Sequence, residues 1–216
     1  MTIDYAAHNE DRMRRAKSWL IYAEDEGRSD EEAFVGYWIA FNAAYGRPYV
    51  ADGEYVAEYR IYMAFIRNVI DEDKQKAIQN YLTKEVKDVQ KLIGNKYIFE
   101  PFWLYMRGKN NADWETRFNT RNIRVLEQWG KGNAARMLGE ILFRLYTLRN
   151  QLMHGGVTYQ TGKGRNQLRD GREIMGNLIP LILNVMQINI AANPSTDEWG
   201  EVAYLSVMEG ALPFAE

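Results

Sequence analysis

Moving protons near neutral pH calls for an imidazole, and this chain has two of them. His8 sits in a polar leader, which leaves His154 as the single plausible centre for histidine acid–base chemistry. His154 closes the segment Arg149-Asn150-Gln151-Leu152-Met153-His154. On a helix, Asn150 and His154 share one face and come within reach of each other, while Arg149 falls on the flank. Residues five apart on an ideal helix point about 140° away from each other, so one Arg149 and one His154 do not converge readily. Two antiparallel copies related by a two-fold axis would gather two of each around one cleft. Read without a second copy, His154 before Gly155-Gly156 complements the helix dipole above a glycine cap. Arg149 would then be a buried ion-pair partner and Asn150 a helix-to-helix hydrogen bond.

Charge around this segment is uneven. Over residues 131–172 eight basic residues stand against two acids, Glu140 and Asp170, and no acid lies between positions 141 and 169. A phosphate backbone arriving there meets attraction without local repulsion, although a solvated basic face would carry the same residues. The whole chain has a net charge of −2 and is therefore no general polyanion binder. It has no cysteine, which rules out thiolate nucleophiles, disulfides and Cys-ligated metals. The runs Glu24-Asp25-Glu26 and Asp71-Glu72-Asp73 read as solvated helix caps, since sequence-local acids do not supply the convergent oxygens a hard cation needs. Neither a metal nor a cofactor is expected.

Helices must position these groups. Apolar residues recur at helical spacing nearly throughout and strand-type alternation is hard to find, so the fold class is all-α. The pattern predicts helices over 11–23, 30–45, 54–69, 73–91, 113–128, 134–154 and 166–192, punctuated by glycine, asparagine and proline. Residues 97–106 read equally as a short helix or an irregular lid. Along 134–154, Leu138, Ile141, Leu142, Leu145, Leu148 and Leu152 form one apolar stripe, the core side. Phe143, Tyr146, Thr147, Asn150 and His154 fall opposite, an aromatic, polar and uncharged surface that reads as a second contact face. One domain is expected over 1–194, followed by an acidic tail over 195–216. The polar amino terminus lacks a signal-type apolar core, and the stretch 177–192 is short and interrupted by Pro180, Asn184, Gln187 and Asn189. A cytoplasmic protein without membrane attachment is the expectation.

The segment Arg149-Asn150-Gln151-Leu152-Met153-His154 resembles the Arg-Asn-x-x-x-His signature of the HEPN superfamily of helical ribonucleases and nucleotide-binding domains. The stretch Tyr37-Trp38-Ile39-Ala40-Phe41-Asn42-Ala43-Ala44-Tyr45 is similar to the Trp-x-x-Phe-Asn-x-x-Tyr helix of some bacterial members, the Apea-like group in particular. Leu145-Tyr146-Thr147-Leu148 before Arg149, and Gly155-Gly156 after His154, fit that group too. The resemblance implies an antiparallel HEPN-type bundle with additional helices, working as a homodimer. It implies metal-independent cutting of RNA with the substrate's own 2′-hydroxyl as nucleophile, without a cofactor. His154 would move the proton, Arg149 would hold the scissile phosphate, and Asn150 would orient His154 or the helix end. Arg144, Lys163, Arg165 and Arg169 are the candidates for positioning the RNA backbone. A 2′,3′-cyclic phosphate and a 5′-hydroxyl would result, and DNA would bind uncut.

Such an enzyme suits a toxin or phage-defence effector. The alternatives are a non-catalytic nucleotide- or RNA-binding module of the same fold, and a protein-interaction scaffold. Toxin members controlled by a nucleotidyltransferase carry a modifiable tyrosine two residues beyond the histidine. Gly156 stands there in this chain, and Tyr159 comes three residues later, so a regulatory protein partner would be of another kind.

Overall fold

In the computed structural model, which describes residues 3–46, 55–109, 112–156 and 164–206, side-chain caps start the first two helices. Asp4 accepts a hydrogen bond from Ala7 N at 3.2 Å and opens α1 (Tyr5–Glu24), six residues before the sequence pattern predicts. Ser29 and Glu32 form a reciprocal capping box at the head of α2 (Asp30–Tyr45). The two helices run antiparallel, and near their far end the Arg12 guanidinium donates to Ala44 O at 2.7 Å. His8 is therefore no part of a polar leader. It is buried in α1, and its Nδ1 accepts from Val202 N at 3.1 Å.

Next comes α3 (Tyr55–Glu72), then α4 (Ala77–Lys84) and α5 (Val86–Ile93) in place of one continuous helix. The division falls at Glu85, which ends α4 and starts α5, while Asp73 caps the start of α4, its two carboxylate oxygens accepting from Ala77 N and Ile78 N at 2.8 Å each. Asp73 is a cap, as expected, but a buried one. A 3-10 turn over Lys96–Ile98 leads into α6 (Glu100–Met106), with Pro101 in its first turn, so this segment is helical. Then follow α7 (Trp114–Gly130), α8 (Ala134–Met153) and α9 (Arg165–Ala192), and no strand occurs among the described residues.

The expected stripe of α8 is the centre of the core, with Leu138, Ile141, Leu142, Leu145 and Leu148 fully buried. It meets the antiparallel α9 so closely that a Cβ on Gly171 would stand 2.8 Å from Leu148 Cδ2. A glycine is the residue that leaves room here for Leu145 and Leu148 of α8 and for Phe34 of α2. By length and composition α9 would reach across a bilayer, but Leu178, Ile179, Ile182 and Met186 are buried in the core. Pro180 is held inside it at the loss of one backbone donor.

The first part of the stretch read as a tail is folded onto this bundle. Asn9 donates to Pro194 O and Thr196 O at 2.9 Å, and Arg12 donates to Gly200 O at 2.9 Å and Glu201 O at 3.0 Å. Trp199 is fully buried, its indole N–H bonded to Asn189 Oδ1 at 2.9 Å and its ring tilted against Phe65. Ser206, the last described residue, gives its amide and its hydroxyl to Asp11 at 2.8 and 2.7 Å.

Candidate active site

The C-terminal end of α8 is closed by its glycines. Gly155 takes φ 71°, its N–H bonds Leu152 O at 3.1 Å, and Gly156 N bonds Gln151 O at 2.6 Å. These two bonds make a Schellman turn, which fixes His154 as the residue where the helix ends. A side chain at Gly155 would have room, but the left-handed backbone disfavours it. Gly155→Ala is accordingly expected to lower stability by about 1–2 kcal/mol, seen as a lower urea midpoint at unchanged slope. An unaltered midpoint would show that the turn does not set the helix end.

Against this end lies α6. Trp103 Nε1 and Gln151 Nε2 both donate to Tyr97 O, at 2.7 and 2.5 Å, so one carbonyl pins α6 and α8 together. Between the two helices runs a groove of about 390 Å³, walled by Glu100, Trp103 and Arg107 of α6 and by Tyr146, Thr147, Asn150 and Gln151 of α8. His154 and Gly156 close its end. Trp38 of α2 backs Tyr146 with ring centroids 5.9 Å apart, which ties the aromatic stretch of α2 to the groove.

Asn150 and His154 are thus brought together on one wall, as their spacing predicts. Arg149 is not on that wall. It is half-buried, and its guanidinium donates to Asn150 Oδ1 at 2.9 Å. That bond uses the Asn150 carbonyl oxygen and leaves its Nδ2–H₂ group as a donor. The exposed imidazole of His154 can take or give a proton at the groove's end. The groove's own cation is Arg107, an exposed residue whose Nε bonds Trp103 O at 3.3 Å. Sequence reading did not single it out, because the segment 97–106 had no settled conformation on which to place its successor. The signal was an arginine ending an aromatic run, which is weak alone. Glu100, at the other end of the same short helix, sits about 10 Å away by helical rise.

The cations expected to position a phosphate backbone fare differently. Arg144 does not reach solvent at all. It has no exposed surface, its Nε bonds Glu140 at 2.8 Å, its Nη2 bonds Asn122 Oδ1 at 2.8 Å, and its guanidinium lies over Phe99 and Phe118. Burial pushes its pKa down to about 10, against the pull of Glu140 and with a further push from Arg121. Arg144 is therefore a structural cation, and its proposed contact with substrate is corrected. Arg165 and Arg169 are exposed on the first turns of α9, outside the groove wall. Lys163 lies outside the described residues. Among the described residues no three His, Asp or Glu side chains converge in the manner of metal ligands.

Compared with protein-family models, with curated proteins and with solved structures, the chain finds no match in any of the three.

Proposed function

We propose that the chain is an endoribonuclease of the HEPN type that needs no metal and acts at a site shared by two copies. The observation that supports this reading is the groove between α6 and α8, where Asn150 and His154 stand on one wall while Arg149 is tethered beside it. The His154 imidazole withdraws the proton of a ribose 2′-hydroxyl. The freed oxygen attacks the adjacent phosphorus, the bond from phosphorus to the 5′-oxygen breaks, and that oxygen leaves with the proton that the His154 imidazolium returns. Charge grows on the phosphoryl oxygens during attack, and a guanidinium fork aimed at them lowers the barrier. Arg149 of a second copy supplies that fork, and Arg107 supports the neighbouring phosphate from within the chain. Tyr146 and Trp103 offer ring faces on which bases flanking the cut can stack.

End-labelled single-stranded RNA incubated in EDTA tests the reaction. Cutting is expected to persist in the chelator, to leave a 2′,3′-cyclic phosphate, and to fail on a 2′-O-methyl strand of the same sequence. Cutting that EDTA abolishes, or that consumes the 2′-O-methyl strand, ends the proposal. Tight binding of RNA without turnover over a broad panel would instead make the groove a binding module.

A further inference from the structure

A second cleft opens on the other side of the start of α6. It measures about 520 Å³ and is lined by four guanidinium-bearing residues, Arg117, Arg121, Arg124 and Arg136, with no acid among its lining residues. Three of the four come from one face of α7, at spacings of four and three, and Arg136 faces them from α8. Thr116 and Thr120 bring two hydroxyls to the same wall.

The floor beneath them is itself short of negative charge. Glu140 is buried and takes both Arg121 Nε, at 2.6 Å, and Arg144 Nε, at 2.8 Å, so one carboxylate serves two cations. The bond to Glu140 also holds Arg121 over the Phe143 ring, 4.3 Å from its centroid. An arginine fixed in this way has already lost its side-chain freedom, and binding an anion need not spend that entropy again.

We propose that this cleft binds the phosphate backbone of single-stranded nucleic acid, which rests on the reading that RNA is the substrate. Three features favour a strand over a lone anion. From Arg117 to Arg124 the cations extend about 10 Å along α7, more than one phosphate can use. Thr116 and Thr120 add two hydroxyl donors to the same wall, more phosphate contacts than a lone anion fills. The cleft and the groove at His154 also share α6 and α8 as walls. Phe99 and Pro101 wall one while Glu100 and Trp103 wall the other, and along α8 Phe143 gives way to Tyr146 and Thr147. From Phe143 to His154 the path is about 16 Å by helical rise, so α8 is the rail along which one strand reaches both.

Binding of an uncuttable 2′-O-methyl RNA of about 15 nucleotides, followed by fluorescence anisotropy from about 50 to 200 mM salt, tests this directly. The triple variant Arg117→Ala, Arg124→Ala, Arg136→Ala is expected to bind at least about tenfold more weakly. The slope of log affinity against log salt should shrink by about 2, the share of three phosphate contacts to a single strand. Arg124→Ala alone should take about 0.7 from the slope. Lys87→Ala, an exposed cation on α5, should change neither. Arg121 is left in place because its loss would also disturb Glu140, and urea unfolding of each variant confirms that the fold is kept. A single-stranded DNA of the same sequence should respond in the same way, because the cleft reads phosphate and not the 2′-hydroxyl.

An unchanged slope in the triple variant, an equal loss in Lys87→Ala, or competition by polyglutamate as effective as by RNA would each overturn the proposal. Since the strand cannot be cut, its binding is read separately from turnover. Arginine-dependent binding by a protein that never cuts RNA would uphold the cleft and remove only the nuclease.

Discussion

His154→Ala should slow the cutting of RNA by about 10²–10⁴-fold, the range a positioned general acid or base supplies, and Arg149→Ala should fall comparably. The more discriminating result comes from combining the two inactive proteins. If the cut is made by His154 of one copy and Arg149 of the other, a mixed dimer holds one intact pair and one doubly crippled pair. Random exchange at equal amounts would then restore about a quarter of wild-type activity from two preparations that each have almost none. The geometry gives the reason. Arg149 is bonded to Asn150 on the flank of α8 and is not among the residues that wall its own groove, so a guanidinium supplied by the second copy is what the mixture detects. A mixture as inactive as its parts would place His154 and Arg149 in the same chain's site and end the shared-site reading. His154→Ala cutting at the wild-type rate would remove the nuclease reading itself.

Glu140→Ala is expected to cost about 3–5 kcal/mol, a large part of the roughly 5–15 kcal/mol that a domain possesses. Glu140 has almost no exposed surface and is the ion-pair partner of a guanidinium that has none. Removing its carboxylate leaves Arg144 charged inside the protein, with Asn122 and two aromatic rings as its remaining support. Removing both charges is a different matter. Glu140→Leu with Arg144→Met fills the space without a buried charge, and most of the lost stability should return. Urea unfolding of the two single variants and the double gives the coupling energy between them. A coupling near zero would mean that the pair does not carry the packing of α7 on α8.

Helical periodicity made the core readable in advance, because the leucine stripe of α8 needs no knowledge of its neighbours to be recognised. The same periodicity placed Asn150 and His154 on one wall. Arg144 was misjudged for the opposite reason. A count of charge treats every cation alike, whereas its fate depends on Asn122, Phe99 and Phe118, which approach from other elements. Its pairing with Glu140 four residues earlier was visible in the spacing, and only burial turned that spacing into a sealed contact. Arg117, Arg121 and Arg124 stood at helical intervals in plain view, but they precede the basic segment whose surplus drew attention. Trp199 was hidden by the company it keeps, since Asp197, Glu198 and Glu201 give their stretch a solvated look while the indole lies in the core.

The stitching of Asn9, Arg12 and Asp11 to residues 194–206 joins positions 185 to 195 apart in the sequence. In folding, α1 can pair with its neighbour α2 at once, but these bonds form only when residues 194–206 are in place, so the last closure of the bundle spans most of the described chain and carries a high contact-order cost.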